Sequence, residues 1–146
     1  TILKEAGDAI RNADIIVIGP GDLYTSIIPN FLVKGVPEAL QESKARKIVV
    51  CNLMTKWGET HGFTASDMVK ELLRCRGVSR GGCAVCDTKE GSATLITAYE
   101  KEKKYPMTCD AGLSKLVDEV ITGDFFSEAD IARHDADKLA KVIADL

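Results

Sequence analysis

The chain has 146 residues, 45% of them hydrophobic and 28% charged, which is the make-up of one ordinary globular domain able to hold a real core. Nineteen basic and 22 acidic residues give a net charge of -3 with no clustered basic excess, which excludes nucleic acid as the main partner. No apolar run of about eighteen residues is present, so no membrane insertion is expected. The opening residues do not read as a signal peptide. The five cysteines are odd in number and scattered through apolar segments, which points to reduced thiols and a cytoplasmic location.

In chain order, residues 3–12 read as a helix with Leu3, Ala6 and Ile10 on one face. Ile15-Ile16-Val17-Ile18 is a run of four β-branched residues. It predicts a strand buried on both faces of a parallel sheet, stopped by Gly19-Pro20-Gly21. Thr25 to Ser43 is apolar at helical spacing and broken near Lys34-Gly35, giving two short helices or one kinked one; Pro29 suits a first turn. Lys47 to Asn52 is a second buried strand, and Leu53 to Gly62 a long loop. Thr64, with Asp67 three residues on, caps a helix running to about Arg76. Cys83 to Cys86 is a weaker third strand. Ser92 caps a helix through Tyr99 to about Lys103, and Met107–Cys109 and Val117–Ile121 are short strand candidates. Asp135 to Leu146 closes the chain as an amphipathic helix with Asp135 as its N-cap. Strands alternating with helices predict an α/β fold: three layers, a mostly parallel sheet with helices on both faces, in a single domain over residues 1–146.

Open parallel sheets bind ligands beyond the carboxyl ends of their strands, which selects three segments. The first is Gly19 to Ser26. Its glycines allow close backbone approach, its helix start favours an anion, Thr25 and Ser26 add hydroxyls, and Tyr24 offers a ring. A tight turn with a capping hydroxyl is the plainer alternative, and the two stand about level on position alone. The second is the loop Asn52 to Gly62, with the single tryptophan, Trp57; a surface loop with a half-buried Trp is the commoner outcome. The third is Arg133-His134-Asp135, where Arg133 could clamp a phosphate, although a salt bridge is the commoner fate. Cys83-x-x-Cys86 could be half a zinc site or a redox pair, but no second pair stands at finger spacing, so core packing is favoured. His61 and His134, with Asp135 and Asp137, could ligate a metal; capping and surface roles are the stronger reading.

Several stretches then resemble a known family: Ala13 through Asn30, Val50-Cys51-Asn52-Leu53-Met54-Thr55, Gly58-Glu59-Thr60, Gly62 through Asp67, and Arg133-His134-Asp135 with Lys138-Leu139-Ala140. The sequence is similar to the gluconeogenesis-factor (YvcK-like) group, related to 2-phospho-L-lactate transferase (CofD). The resemblance implies an incomplete Rossmann-like arrangement. It also implies binding of a nucleotide or UDP-type nucleotide-sugar by a regulatory protein of bacterial cell-wall and carbon metabolism. The sequence holds no defensible nucleophile–His–acid order, so a binding rather than an enzymatic role is expected. Carried over, the resemblance implies ligand contacts at Gly19, Gly21, Asp22, Tyr24, Thr25, Ser26 and Asn30. Asn52 and Thr55 would line the same crevice, and Tyr99 and Arg133 would meet the base or phosphate.

Members of the family are about twice as long and open on a Gly-rich strand, so this chain, which begins at Thr1, is expected to be the carboxyl-terminal part of a longer protein. Its open sheet edge then calls for a partner strand or a homodimer. The family's third strand ends in Asn where this chain has Cys86-Asp87, and the basic Gly77–Gly82 stretch before it is unusual. The alternative function is a CofD-like transferase using a guanosine diphosphate donor and magnesium, held through Asp22 or Asp87. A second alternative is an assembly module without a ligand.

Overall fold

β-branched runs set the sheet. The computed structural model describes residues 1–75, 80–89, 91–127 and 131–146. Four parallel strands, β1 (Ile15–Ile18), β2 (Arg46–Val50), β3 (Cys83–Asp87) and β4 (Glu119–Gly123), lie side by side in sequence order. The helices are α1 (Lys4–Asn12), α2 (Ile28–Phe31), α3 (Val36–Glu42), α4 (Ala65–Cys75), α5 (Ala93–Lys101), α6 (Leu113–Leu116) and α7 (Ala136–Ala144). This is the expected α/β architecture. No helix among the described residues is long and apolar enough to cross a membrane.

Period two along each strand divides the core into two layers. On one face Ile18, Val49, Ala84 and Cys86 pack with Leu40 of α3 and with Met68, Val69 and Leu72 of α4. On the other, Ile48, Cys83 and Val85 meet Phe125 and the apolar stripe Leu139, Val142 and Ile143 of α7. β3 is buried along Cys83–Cys86, so it is a central strand rather than a weak one. The i, i+3 spacing of Cys83 and Cys86 sends their side chains to opposite faces, one into each layer. They therefore form neither a redox pair nor half of a zinc site.

Three other expectations are corrected. Ile15 and Val17 are 39% and 44% exposed, so β1 is not buried on both faces. The cause is position: β1 is an edge strand, and the α7 stripe packs over β2, β3 and Ile121 of β4. Met107–Cys109 forms no strand. Tyr105 and Met107 instead bond Thr55 and Leu53 across an antiparallel Met54–Pro106 bridge, and Pro106 has no N–H to extend a ladder. The fourth strand begins at Glu119, because Val117 is still tied to Leu113 at the end of α6. The helical stretch after the first loop is broken at Gly35 (φ +100°), as its glycine suggests, and opens with a widened turn over Leu23–Ile27. α4 ends at Cys75; the expected end at Arg76 and positions 77–79 lie outside the described residues.

Candidate functional site

The loops after β1 and β2 are built against each other. Gly19 leaves β1 at φ +85°, where a Cβ would stand 3.0 Å from the Val50 carbonyl; only glycine suits this position. Asn52, just past β2, grips Gly21 twice: its Oδ1 accepts from Gly21 N (3.2 Å) and its Nδ2 donates to Gly21 O (2.9 Å). Four residues on, Lys56 Nζ reaches Asp22 Oδ2 (2.5 Å) and Glu59 Oε1 (2.8 Å). Glu59 in turn accepts from Tyr24 N (3.3 Å) and Thr25 Oγ1 (3.1 Å). The hydrogen bond from Lys56, aided by Thr25 and Tyr24, holds the Glu59 carboxyl below its usual range. Lys56 is raised by the same partnership, first with Asp22 and then with Glu59.

Beside this wall opens a cavity of about 480 Å³ at the carboxyl ends of the strands. Gly21, Asp22 and Asn52 line one side, and Tyr99, Arg133 and His134 the other. Tyr99 comes from α5, and its hydroxyl accepts from Ala132 N (3.1 Å), which props the segment before α7. Arg133 is exposed, and its guanidinium makes no hydrogen bond or ion pair among the described residues. His134 is half-buried, bonded to the backbone of Cys51 and within electrostatic reach of Asp87; burial depresses its imidazole below the ordinary range. Burial raises Asp87, whose oxygens accept from Lys89 N (2.6 Å) and Phe125 N (2.8 Å). The pairing places one fixed cation and an aromatic ring opposite a glycine backbone, a set suited to an anionic ligand carrying a planar group.

The sequence-derived residues thus divide. Gly21, Asp22, Asn52, Tyr99 and Arg133 share the cavity. Gly19, Ser26 and Asn30 instead line an apolar groove of about 390 Å³ along β1, shared at Pro20 and Gly21, and Asn30 Nδ2 is spent on Ser26 O. Tyr24 packs edge-on against Phe63, and Thr25 faces Glu59. Thr55 is buried and bonds both backbone groups of Tyr105.

His61 leans on Trp57 at 4.7 Å, while Asp135 caps α7 through Asp137 N and Lys138 N. Among the described residues no group of three His, Cys, Asp or Glu side chains could hold a metal. Cys86 lies beside Cys51 and Cys109; contact with Cys51 and burial push its thiol up, and burial pushes Cys109 to about 12, so these thiols pack rather than react. Lys56 and Glu59 carry no expected role in the sequence, although their i, i+3 opposite charges were a signal.

Comparison with known proteins gives the chain's family. Residues 1–126 match the family model of 2-phospho-L-lactate transferase CofD. A gluconeogenesis factor from Halalkalibacterium halodurans is 41% identical over 145 residues, 98% of this chain and 45% of that protein. A putative gluconeogenesis factor from Thermotoga maritima is 44% identical over 148 residues, 97% of this chain and 46% of that one. A crystal structure of a Bacillus halodurans protein superimposes at a TM-score of 0.90 with 42% identity, covering 97% of this chain and 46% of that chain. The chain spans less than half the length of the relatives it matches. It belongs to the 2-phospho-L-lactate transferase CofD family, and its relatives include proteins named gluconeogenesis factors.

Proposed function

We propose that the cavity at the strand ends binds a nucleotide-sugar of the UDP type, and that the chain is the binding part of a regulatory protein of cell-wall and carbon metabolism. The observation that carries this reading is the apposition of Gly21, Asp22 and Asn52 with Tyr99, Arg133 and His134 around about 480 Å³, a volume within the range of small-molecule sites. Arg133 is the group for a diphosphate, since its planar fork matches phosphate oxygens. Tyr99 offers a ring for a base or sugar face. Titrating the chain with UDP-glucose while following its thermal unfolding tests this: the melting temperature rises with ligand if the reading holds. No shift at millimolar UDP-sugar, with a shift for guanosine diphosphate instead, rejects it. We also propose a homodimer covering the exposed Ile15 and Val17; a monomer in sedimentation velocity rejects that part.

The match to the transferase family model favours a second reading, a phospholactate transferase with a guanosine diphosphate donor and magnesium. The carboxylates expected to hold the metal do not fit it. Asp22 is paired with Lys56, and both oxygens of Asp87 are taken by backbone amides. Magnesium-dependent transfer of phospholactate to a deazaflavin acceptor would support this second reading.

A further inference from the structure

We propose that Glu59 is the positioning residue of the crevice, an inference that rests on reading the cavity as a nucleotide-sugar site. Its side chain is only 12% exposed, and among the described residues its hydrogen bonds and ion pair go to Tyr24, Thr25 and Lys56, none of which lines the cavity. One carboxylate receives the amide of Tyr24, the hydroxyl of Thr25 and the ammonium of Lys56. Lys56 passes the constraint on to Asp22, which lines the cavity. Residues 22, 24 and 25 are therefore fixed from behind by a single anion over thirty residues away in sequence.

The consequence for the ligand is specific. A phosphate or carboxylate at the start of the Leu23–Ile27 turn would have to displace a charge already held by three donors. Tyr24 and Thr25 thus face an internal anion, and the ligand meets the loop at Gly21 and Asp22. The wall stands before the ligand arrives, so binding does not have to order it. Lys56 is half-exposed, and its turn is closed by the buried Thr60, whose Oγ1 accepts from Lys56 N at 3.0 Å.

Amide hydrogen exchange and UDP-glucose calorimetry on the wild type, Glu59→Ala, Glu59→Gln and Lys56→Met test the proposal. In Glu59→Ala the Tyr24 amide should exchange at least tenfold faster while Ile48 and Val49 keep their rates, and affinity for UDP-glucose should fall at least tenfold. Glu59→Gln keeps one acceptor oxygen but neither the second nor the charge that holds Lys56, and should restore only part of both. Lys56→Met should loosen the same loop less, and it carries the test if Glu59→Ala does not fold. Unchanged exchange at Tyr24, faster exchange throughout the sheet, or a loosened Tyr24 with unchanged affinity would each overturn the proposal. If UDP-glucose binds none of the four proteins, the nucleotide reading fails, and exchange alone decides whether Glu59 fixes the wall.

Discussion

The two walls of the cavity are made in different ways. The wall from β1 and β2 is an interlocked set of hydrogen bonds: Asn52 to Gly21, Lys56 to Asp22, and Glu59 to Tyr24 and Thr25. The wall before α7 is tied by Tyr99 to Ala132, His134 to Cys51 and the Asp135 cap, and it presents Arg133 outward. A buried or half-buried polar group left without a partner is costly, so the first wall spends its polarity on itself. The second keeps a charge in solvent at little cost, ready for a ligand. Mutations at the packed root of the first wall should act mainly on stability, those at Glu59 on the order of the loop and through it on binding, and those in the second wall on binding alone.

The hardest test of that division is Gly19→Ala. An added Cβ meets the Val50 carbonyl at 3.0 Å, and φ is +85°. Strain and overpacking together should cost about 3 kcal/mol. Gly58→Ala is the matched control, with φ +81° and nothing within 4 Å, so it should cost only roughly 1 kcal/mol from the backbone alone. Urea unfolding midpoints compare the two, and equal losses would show that packing at Gly19 does not matter.

Asn52→Ala comes next. It removes both bonds to Gly21, part-buried donor and acceptor, for a loss of about 2 kcal/mol. Asn52→Asp keeps the acceptor for Gly21 N and leaves Gly21 O unpartnered, so its loss should be intermediate. If both variants unfold like wild type, the two loops are not locked by this side chain.

Much of this was legible in the sequence, for local reasons. The Ile15–Ile18 and Lys47–Asn52 runs marked β1 and β2, and Gly19-Pro20-Gly21 marked the loop. The Asp135 cap and the stripe of α7 were also plain. What escaped was tertiary. The exposure of Ile15 and Val17 depends on how far α7 reaches, which no run of residues encodes. Glu59 and Lys56 find their partners more than thirty residues upstream. Thr55 looked like a crevice hydroxyl, but Tyr105, fifty residues on, takes it. Tyr99 came into view only through family resemblance, whereas Arg133 was already a candidate phosphate clamp before the last helix.

Arg133→Ala should separate the walls from the other side. Arg133 is exposed and makes no ion pair among the described residues, so unfolding free energy should stay within roughly 0.5 kcal/mol. Affinity for UDP-glucose should fall about tenfold or more, since a charge-assisted contact to phosphate is lost. Arg133→Lys should recover only part, because an ammonium cannot bind two oxygens in a fork. A stability loss as large as that of Asn52→Ala would erase the distinction between the walls.

The smallest effect belongs to His134 and is read through pH. Burial depresses its imidazole in the folded chain, and attraction to Asp87 only partly offsets this. The unfolded chain therefore takes up its proton first. The contribution to stability is whole above the ordinary histidine value of about 6.5 and is lost as pH falls from there toward the folded value. Asp87 works the other way: its carboxyl is raised by burial, so its own contribution falls as pH rises from the ordinary carboxylate range. Unfolding free energies measured between neutral pH and the carboxylate range should decline on acidification with a slope no steeper than one proton. His134→Gln should remove that slope, and a slope that survives the substitution would mean the ring is not what titrates behind the second wall.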